Sequence, residues 1–560
     1  MDSGALCHVA LRAGIKTLGI VVCIVLLSGT LVSPRAEGPS DDVASREEIA
    51  FLPAYRLAEM IRSKKVTSSE VVEIYLDRIA RFNKDLNAMV TVDEKGARKR
   101  ARGADEALKR GEVWGPLHGV PVTIKDNIAT SGIQTTSGLK DLVGYVPKYD
   151  ATLVERLKKA GAVILGKTNL PPMAMDVQTR GPLLGTANNP WDLACTTGGS
   201  SGGEAAAVAA GLTAMGFGND IGGSIRIPAH FCGIYGLKPT ENFTPGFGVA
   251  PGVRTGGVRS VRHMACSGPL ARSIEDLRLG LSVIAGPDPG NPDVPWVDLS
   301  PIVPRDMPEI RVAWTDDFGG VPVTQETKDA LRKLADRLAA SGCRVERVQG
   351  GLFEHYRTVM REASKDLYRV KDADIPPADF ESAWTTYGRL MDLELGMYQP
   401  SLFRLVNFMF GWWYRSGVPM ISMAFPLSYD KYMKTLTQRD FFVSAMDSFF
   451  ERYDVLVCPV SSTPAYRHIT PWMYVGPYPV YTESVYVDDM PVKYLVANMS
   501  HTSVFNLTGN PVVVMPAGFT KDGLPIGVQV VGKRWRDMEL LAIAEQIDRV
   551  SSSYRRPPGY

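Results

Sequence analysis

Two serines sit among four glycines in the run TTGGSSGGE, residues 196–204, and a third glycine-flanked serine follows at Ser224 in NDIGGSIRIP. A serine hydroxyl is a weak nucleophile and needs a base within hydrogen-bond reach. Lys125 ends the stretch VTIKDN, 75 residues before Ser200, and Ser224 lies 24 residues beyond Ser200. A lysine serves as a base when burial lowers its pKa toward neutrality. A second serine can pass the proton between base and nucleophile. The glycines before Ser224 remove side chains and let successive backbone N–H groups converge on one point, as an oxyanion site requires.

Other chemistries compete for the same run. A phosphate cradle of the GxxxxGK[ST] type needs a lysine after its last glycine; here Glu204 stands there and would repel phosphate. Gly199–Gly203 also satisfies G-x-S-x-G, with Ser201 as nucleophile and His468 or His501 as later partners. That elbow wants a strand directly before it, and NNPWDLACTT reads as a loop. A flexible linker is excluded because an alanine-rich helix begins at once.

The elements that must hold these residues read as an α/β alternation. SSEVVEIYLDRIARFN, opening with Ser68-Ser69-Glu70, has helix-spaced apolar residues, within a helical pattern running from Ala50 to about Leu108. Val120 to Ile124 is a β-rich run leading into Lys125. Helix ATLVERLKKAG, strand AVILGKTN, helix EAAAVAAGLTA and strand MGFGND follow. Strands DVLVCPV, PVVVMPAGF and PIGVQVVG and helix DMELLAIAEQID close the chain. Strands alternating with helices predict one large α/β domain with a mostly parallel or mixed sheet.

GGSSGGEAAAVAAGL followed by DIGGSIRIPAHFCGIYGLKPT resembles the signature of the amidase signature family. So do GVPVTIKDNI, AGAVILGKTN, GPLARSIEDL and FNLTGNPVVVMPAGFTKDGLPIGVQVVG. The resemblance runs from about residue 55 to 545 and is weakest over 290–450. It implies an α/β/α fold with a central mixed sheet covered by helices. It also implies a Ser–cisSer–Lys triad, in which Ser224 is the acyl nucleophile, Ser200 the bridging serine after a cis peptide bond, and Lys125 the base. The N–H groups of Ile221, Gly222, Gly223 and Ser224 would form the oxyanion hole. Ser201 and Asp220 would support the site by hydrogen bonds, and Arg226 would be structural. The implied reaction is hydrolysis of a carboxylic amide through an acyl-enzyme, with no metal or cofactor. Asn219 departs from the family pattern, which often has Thr or Ser before the aspartate.

The 560-residue chain is 45% hydrophobic and 22% charged with a net charge of +2, a globular composition with no global field for nucleic acid. Its seven cysteines are scattered, with no zinc spacing, and read as isolated buried thiols. Residues 17–34, TLGIVVCIVLLSGTLVSP, carry no charge and follow Arg12 and Lys16. They read as a membrane anchor or a signal segment within 1–47, placing the 48–560 amidase domain on the extracytoplasmic or lumenal side, or secreted after cleavage. Residues 350–450 form a helical, apolar region, with 400–425 as a buried hairpin, a lid or a membrane-binding cap. Together these predict a hydrophobic or fatty acyl amide as substrate, with Met173, Met175, Phe408 and Trp412 in its pocket and Phe403, Phe410 and Met420 beside them. The alternatives are a small aliphatic or aryl amide, or a non-catalytic binding protein. The glutaminase subunit of tRNA amidotransferase is set aside on the apolar N-terminus. Family members often dimerise, so a homodimer is the implied self-association.

Overall fold

Apolar runs bounded by turn residues become the inner strands of one eleven-stranded sheet. In chain order they are β1 (Met89–Val92), β2 (Pro121–Lys125), β3 (Val163–Thr168), β4 (Met215–Asp220), β5 (Tyr235–Lys238), β6 (Cys266–Ala271), β7 (Arg311–Trp314), β8 (Arg344–Arg347), β9 (Val455–Pro459), β10 (Val512–Phe519) and β11 (Pro525–Gly532). Their spatial order is β1-β3-β2-β4-β6-β5-β10-β11-β9-β7-β8. The sheet is mixed: β2 runs parallel to both β3 and β4, whereas β6, β5, β10 and β11 pair antiparallel. This computed structural model describes residues 45–249, 261–317, 320–348, 352, 379–396, 428–475 and 478–560. The described elements belong to one unit, Ala44–Tyr560.

Successive strand side chains point to opposite faces, and both faces here are covered. Val455, Val457, Val513 and Met515 enter one core, while Leu456, Cys458, Val512 and Val514 enter a second. This is why those strands read as unbroken apolar runs rather than as alternation. The helices that bear on the site are α1 (Ser68–Leu86), α2 (Gly202–Ala209), α3 (Arg226–Cys232), α4 (Phe380–Gly396), α5 (Tyr429–Arg452) and α6 (Tyr494–Leu507). α4 packs against α5 and α6. α1 opens with a capping box in which Thr67 and Glu70 bond reciprocally, so the cap lies one residue before the Ser68 start read from sequence.

The structure corrects the sequence reading in two further places. The helical pattern over 50–108 is interrupted by β1, an edge strand of four residues. Strands β5 to β8 were not foreseen. The five cysteines among the described residues are all free and buried, as expected. Residues 17–34 and 400–425 lie outside the described residues; among those described, no helix is long and apolar enough to cross a membrane. The ends of the described chain meet: Arg556 Nη2 donates to Glu47 Oε2 at 2.6 Å, and its guanidinium lies over the Phe51 ring.

Candidate active site

Lys125 is the last residue of β2, and every residue of that strand is buried. The parallel register sets Ile124 beside Phe217, so β2 and β4 end side by side, at the carboxyl edge where open α/β sheets gather ligands. Lys125 Nζ meets Ser200 Oγ at 2.7 Å and Asn219 Oδ1 at 2.9 Å. Burial lowers its pKa to about 7, against the opposing pull of Asp220 and Glu204. A lysine so placed can take a proton near neutral pH. The Gly199–Ser200 peptide bond is cis. Lys125 is wholly sealed, Ser200 is 1% exposed and Ser224 8% exposed.

The glycines of the 198–203 run make room for backbone. A Cβ on Gly199 would lie 2.8 Å from the Asp176 carbonyl oxygen, and one on Gly203 would lie 2.4 Å from Asn169 N. Glu204 is buried against β2, accepting from Thr123 Oγ1 at 2.6 Å, with burial pushing its carboxyl up to about 7. An acid packed into the sheet leaves no phosphate site, which agrees with the sequence argument.

The turn Ile221–Ser224 is pinned through its carbonyls. Tyr387 Oη donates to the Ile221 oxygen at 3.0 Å, Thr502 Oγ1 to the Gly222 oxygen at 2.7 Å, and Ile227 N to the Gly223 oxygen at 2.7 Å. In a trans peptide the next N–H points opposite to the carbonyl. Each of these bonds therefore orients the N–H of Gly222, Gly223 and Ser224 in turn. The Gly223 N–H is donated to Asp220 Oδ1 at 2.8 Å. This corrects the four-donor expectation: that N–H is taken by Asp220, leaving Ile221, Gly222 and Ser224 as candidate oxyanion donors. Gly223 itself has φ +119°, a region that disfavours side chains.

Asp220 anchors the turn. It also accepts from Ile225 N, and it forms a buried ion pair with Arg226, Nη2 to Oδ1 at 2.9 Å and Nε to Oδ2 at 3.0 Å. Asn506 Nδ2 adds a further bond at 2.9 Å. Burial opposes its charge, yet Arg226 beside it holds the carboxyl well below the usual carboxylate range. Ser201 N donates to the Ser224 oxygen at 3.0 Å, tying the start of α2 to the Ile221–Ser224 turn.

Met173 is exposed at the surface, while Met175 is half-buried beside Asp176. Phe403, Phe408, Phe410, Trp412 and Met420 lie outside the described residues. The sequence reading missed Tyr387 of α4 and Met499 of α6, both against Gly222. It also missed Asp176, which accepts from Tyr481 and Tyr494 at 2.5 and 2.8 Å. No local motif marks these residues. His468, the elbow's candidate, meets Asn188 rather than a serine, and His501 is fully buried in α6.

A mixed α/β sheet carrying a buried lysine, a serine hydrogen-bonded to it and a glycine-bracketed serine in the turn after β4 defines an amidase, a hydrolase of carbon–nitrogen bonds. The chain belongs to the amidase signature family: the Amidase family model matches residues 70–541. It is 34% identical over 522 residues to the A subunit of the glutamyl-tRNA(Gln) amidotransferase from Carboxydothermus hydrogenoformans, covering 91% of this chain and 99% of that protein. It is 32% identical over 529 residues to its counterpart in Moorella thermoacetica, with 91% and 99% covered. A fatty acid amide hydrolase structure superposes with a TM-score of 0.70 over 91% of this chain and 87% of that one. At 23% identity, that likeness speaks for the fold alone.

These relatives overturn two expectations. The fatty acyl amide substrate is not supported, because the proteins matching nine-tenths of the chain at 32–34% identity are amidotransferase subunits. The anchored, extracytoplasmic location is not supported either: the relatives that match nine-tenths of the chain are named as glutamyl-tRNA(Gln) amidotransferase subunits. The apolar N-terminus was therefore no ground for dismissing the amidotransferase reading.

Proposed function

We propose that the chain releases ammonia from a primary carboxamide, in the manner of its amidotransferase relatives, through an acyl-enzyme on Ser224. The hydrogen bond between buried Lys125 and Ser200 carries this reading. Lys125, neutral at working pH, draws a proton from Ser200 as Ser200 draws one from Ser224. Ser224 attacks the carboxamide carbon, and the oxyanion is met by backbone N–H groups of the Ile221–Ser224 turn. Lys125 returns the proton through Ser200 to the leaving nitrogen, and water then cleaves the ester. Residues 48–560 are the amidase domain in this reading. An amidotransferase passes its ammonia on, so protein partners belong to the reading.

The test is ammonia release from L-glutamine, L-asparagine and short carboxamides. Ammonia should appear and fall by about 10³-fold or more in Ser224→Ala. A chain whose Ser224 reacts with a serine-directed probe but which frees no ammonia from any of them sinks the carboxamide reading.

A further inference from the structure

Among the described residues, Lys125 Nζ has two hydrogen-bond partners, and only one of them is a serine. Asn219 Oδ1 meets Nζ at 2.9 Å, and Asn219 Nδ2 donates to Asn127 Oδ1 at 2.9 Å. Asn127 is almost fully buried beside Lys125 in the chain, and Asn219 lies on the neighbouring strand. The pair fixes the direction of the Asn219 amide. Reversing the Asn219 amide alone would set its oxygen against the Asn127 oxygen and its NH₂ against the lysine ammonium.

We propose that Asn219, held by Asn127, is a positioning residue that turns the lone pair of neutral Lys125 toward Ser200. An amide oxygen can only accept. While Lys125 is protonated it gives one N–H to Asn219 and another to Ser200. When it loses a proton, the lone pair cannot face the amide oxygen, so an N–H stays there. The lone pair is left for the one partner able to donate, the Ser200 hydroxyl. A hydroxyl at position 219, usual in the family, can donate as well as accept and so imposes no such direction. The inference rests on the assignment of Lys125 as base to Ser200.

Other charges face Lys125 as well. Asp220, on β4, is neutralised by Arg226; Glu204, on α2, lies behind the strand; and Lys167, on β3, interacts with Asp126. None of them contacts the Nζ–Oγ pair as Asn219 does.

The test is the rate of Ser224 labelling by a fluorophosphonate between pH 5.5 and 10, which needs no knowledge of the amide. Asn219→Asp keeps the shape and adds a negative charge beside Nζ. Its acid limb should move up by at least one pH unit, slowing labelling about tenfold at pH 7 and recovering above pH 9. Asn219→Ala and Asn127→Ala should each label about tenfold more slowly at every pH, although Asn127 does not touch the lysine. Asn219→Thr, whose hydroxyl accepts but imposes no direction, should label at a rate between those of Asn219→Ala and wild type. An Asn219→Asp limb coincident with wild type overturns the proposal, as does wild-type labelling by both alanine variants. Because the aspartate is isosteric, its limb decides even if an alanine variant misfolds. Unmoved limbs with ammonia release intact defeat only this inference. Labelling that responds as described without any ammonia release defeats only the carboxamide reading.

Discussion

Lys125 carries its charge where charge is costly, and both its chemistry and its stability follow from that. With a pKa of about 7, the neutral base is the active form, so kcat/KM should rise about tenfold per pH unit below 7 and level off above it. Lys125→Ala should lose about 10³-fold or more in kcat, whereas His468→Ala should keep activity within a few-fold; a dead His468 variant beside an active Lys125 variant would restore the elbow reading. The linkage has a definite sign. The folded-state pKa lies below the unfolded value of about 10.4, so between pH 7 and 10 the unfolded chain binds the extra proton. This residue's contribution therefore makes wild-type stability rise with pH in that window, and its penalty is greatest below pH 7. Lys125→Met lacks the penalty. Its advantage over wild type should shrink by up to about 1.4 kcal/mol per pH unit between pH 7 and 9, read from denaturant midpoints.

The oxyanion turn shows why one element can be read from sequence while its neighbours stay hidden. Its glycines announce themselves, and a Cβ on Gly222 would fall 2.4 Å from Met499 Cε and 2.6 Å from Tyr387 Oη. Gly222→Ala should therefore displace the donors and cut kcat about 10²-fold with little change in KM, and Met499→Ala should restore part of it. Gly203→Ala meets only backbone, at Asn169 and Ala88, and should lower the Tm by many degrees instead. Tyr387, Met499 and Thr502 reach the turn from 166 to 280 residues away, a closeness that no local pattern encodes. β6 was missed for a different reason. CSGPLA holds Pro269 in a central strand, opposite Phe217, where proline argues against a strand at all. Asn219 was visible as a departure from the family pattern. That it touches Lys125 depends on the parallel pairing of β2 with β4.

At the level of the whole chain, the inner strands were legible because burial on both faces leaves them continuously apolar, and the triad because its glycines and spacing are so specific. Substrate was not legible: apolar stretches outside the catalytic core were given weight that nine-tenths coverage by amidotransferase relatives removes. Burial also governs the thiols. It raises the pKa of Cys195 to about 12 and of Cys266 to about 11. Iodoacetamide followed by peptide mass spectrometry should find Cys195, Cys232, Cys266, Cys343 and Cys458 unmodified until denaturant is added. The contact between Arg556 and Glu47 has a topological consequence. Since a side-chain hydrogen bond joins Lys125 to Ser200, and β2 pairs with β4 just ahead of Ser224, continuity of the intervening chain is dispensable in principle. The exposed stretch around Val143 and Gly144 lies between base and bridging serine. A circular permutant of residues 45–560 opened there, with Ser45 joined to Tyr560 by a short linker, should reassemble the same site from a reordered polypeptide.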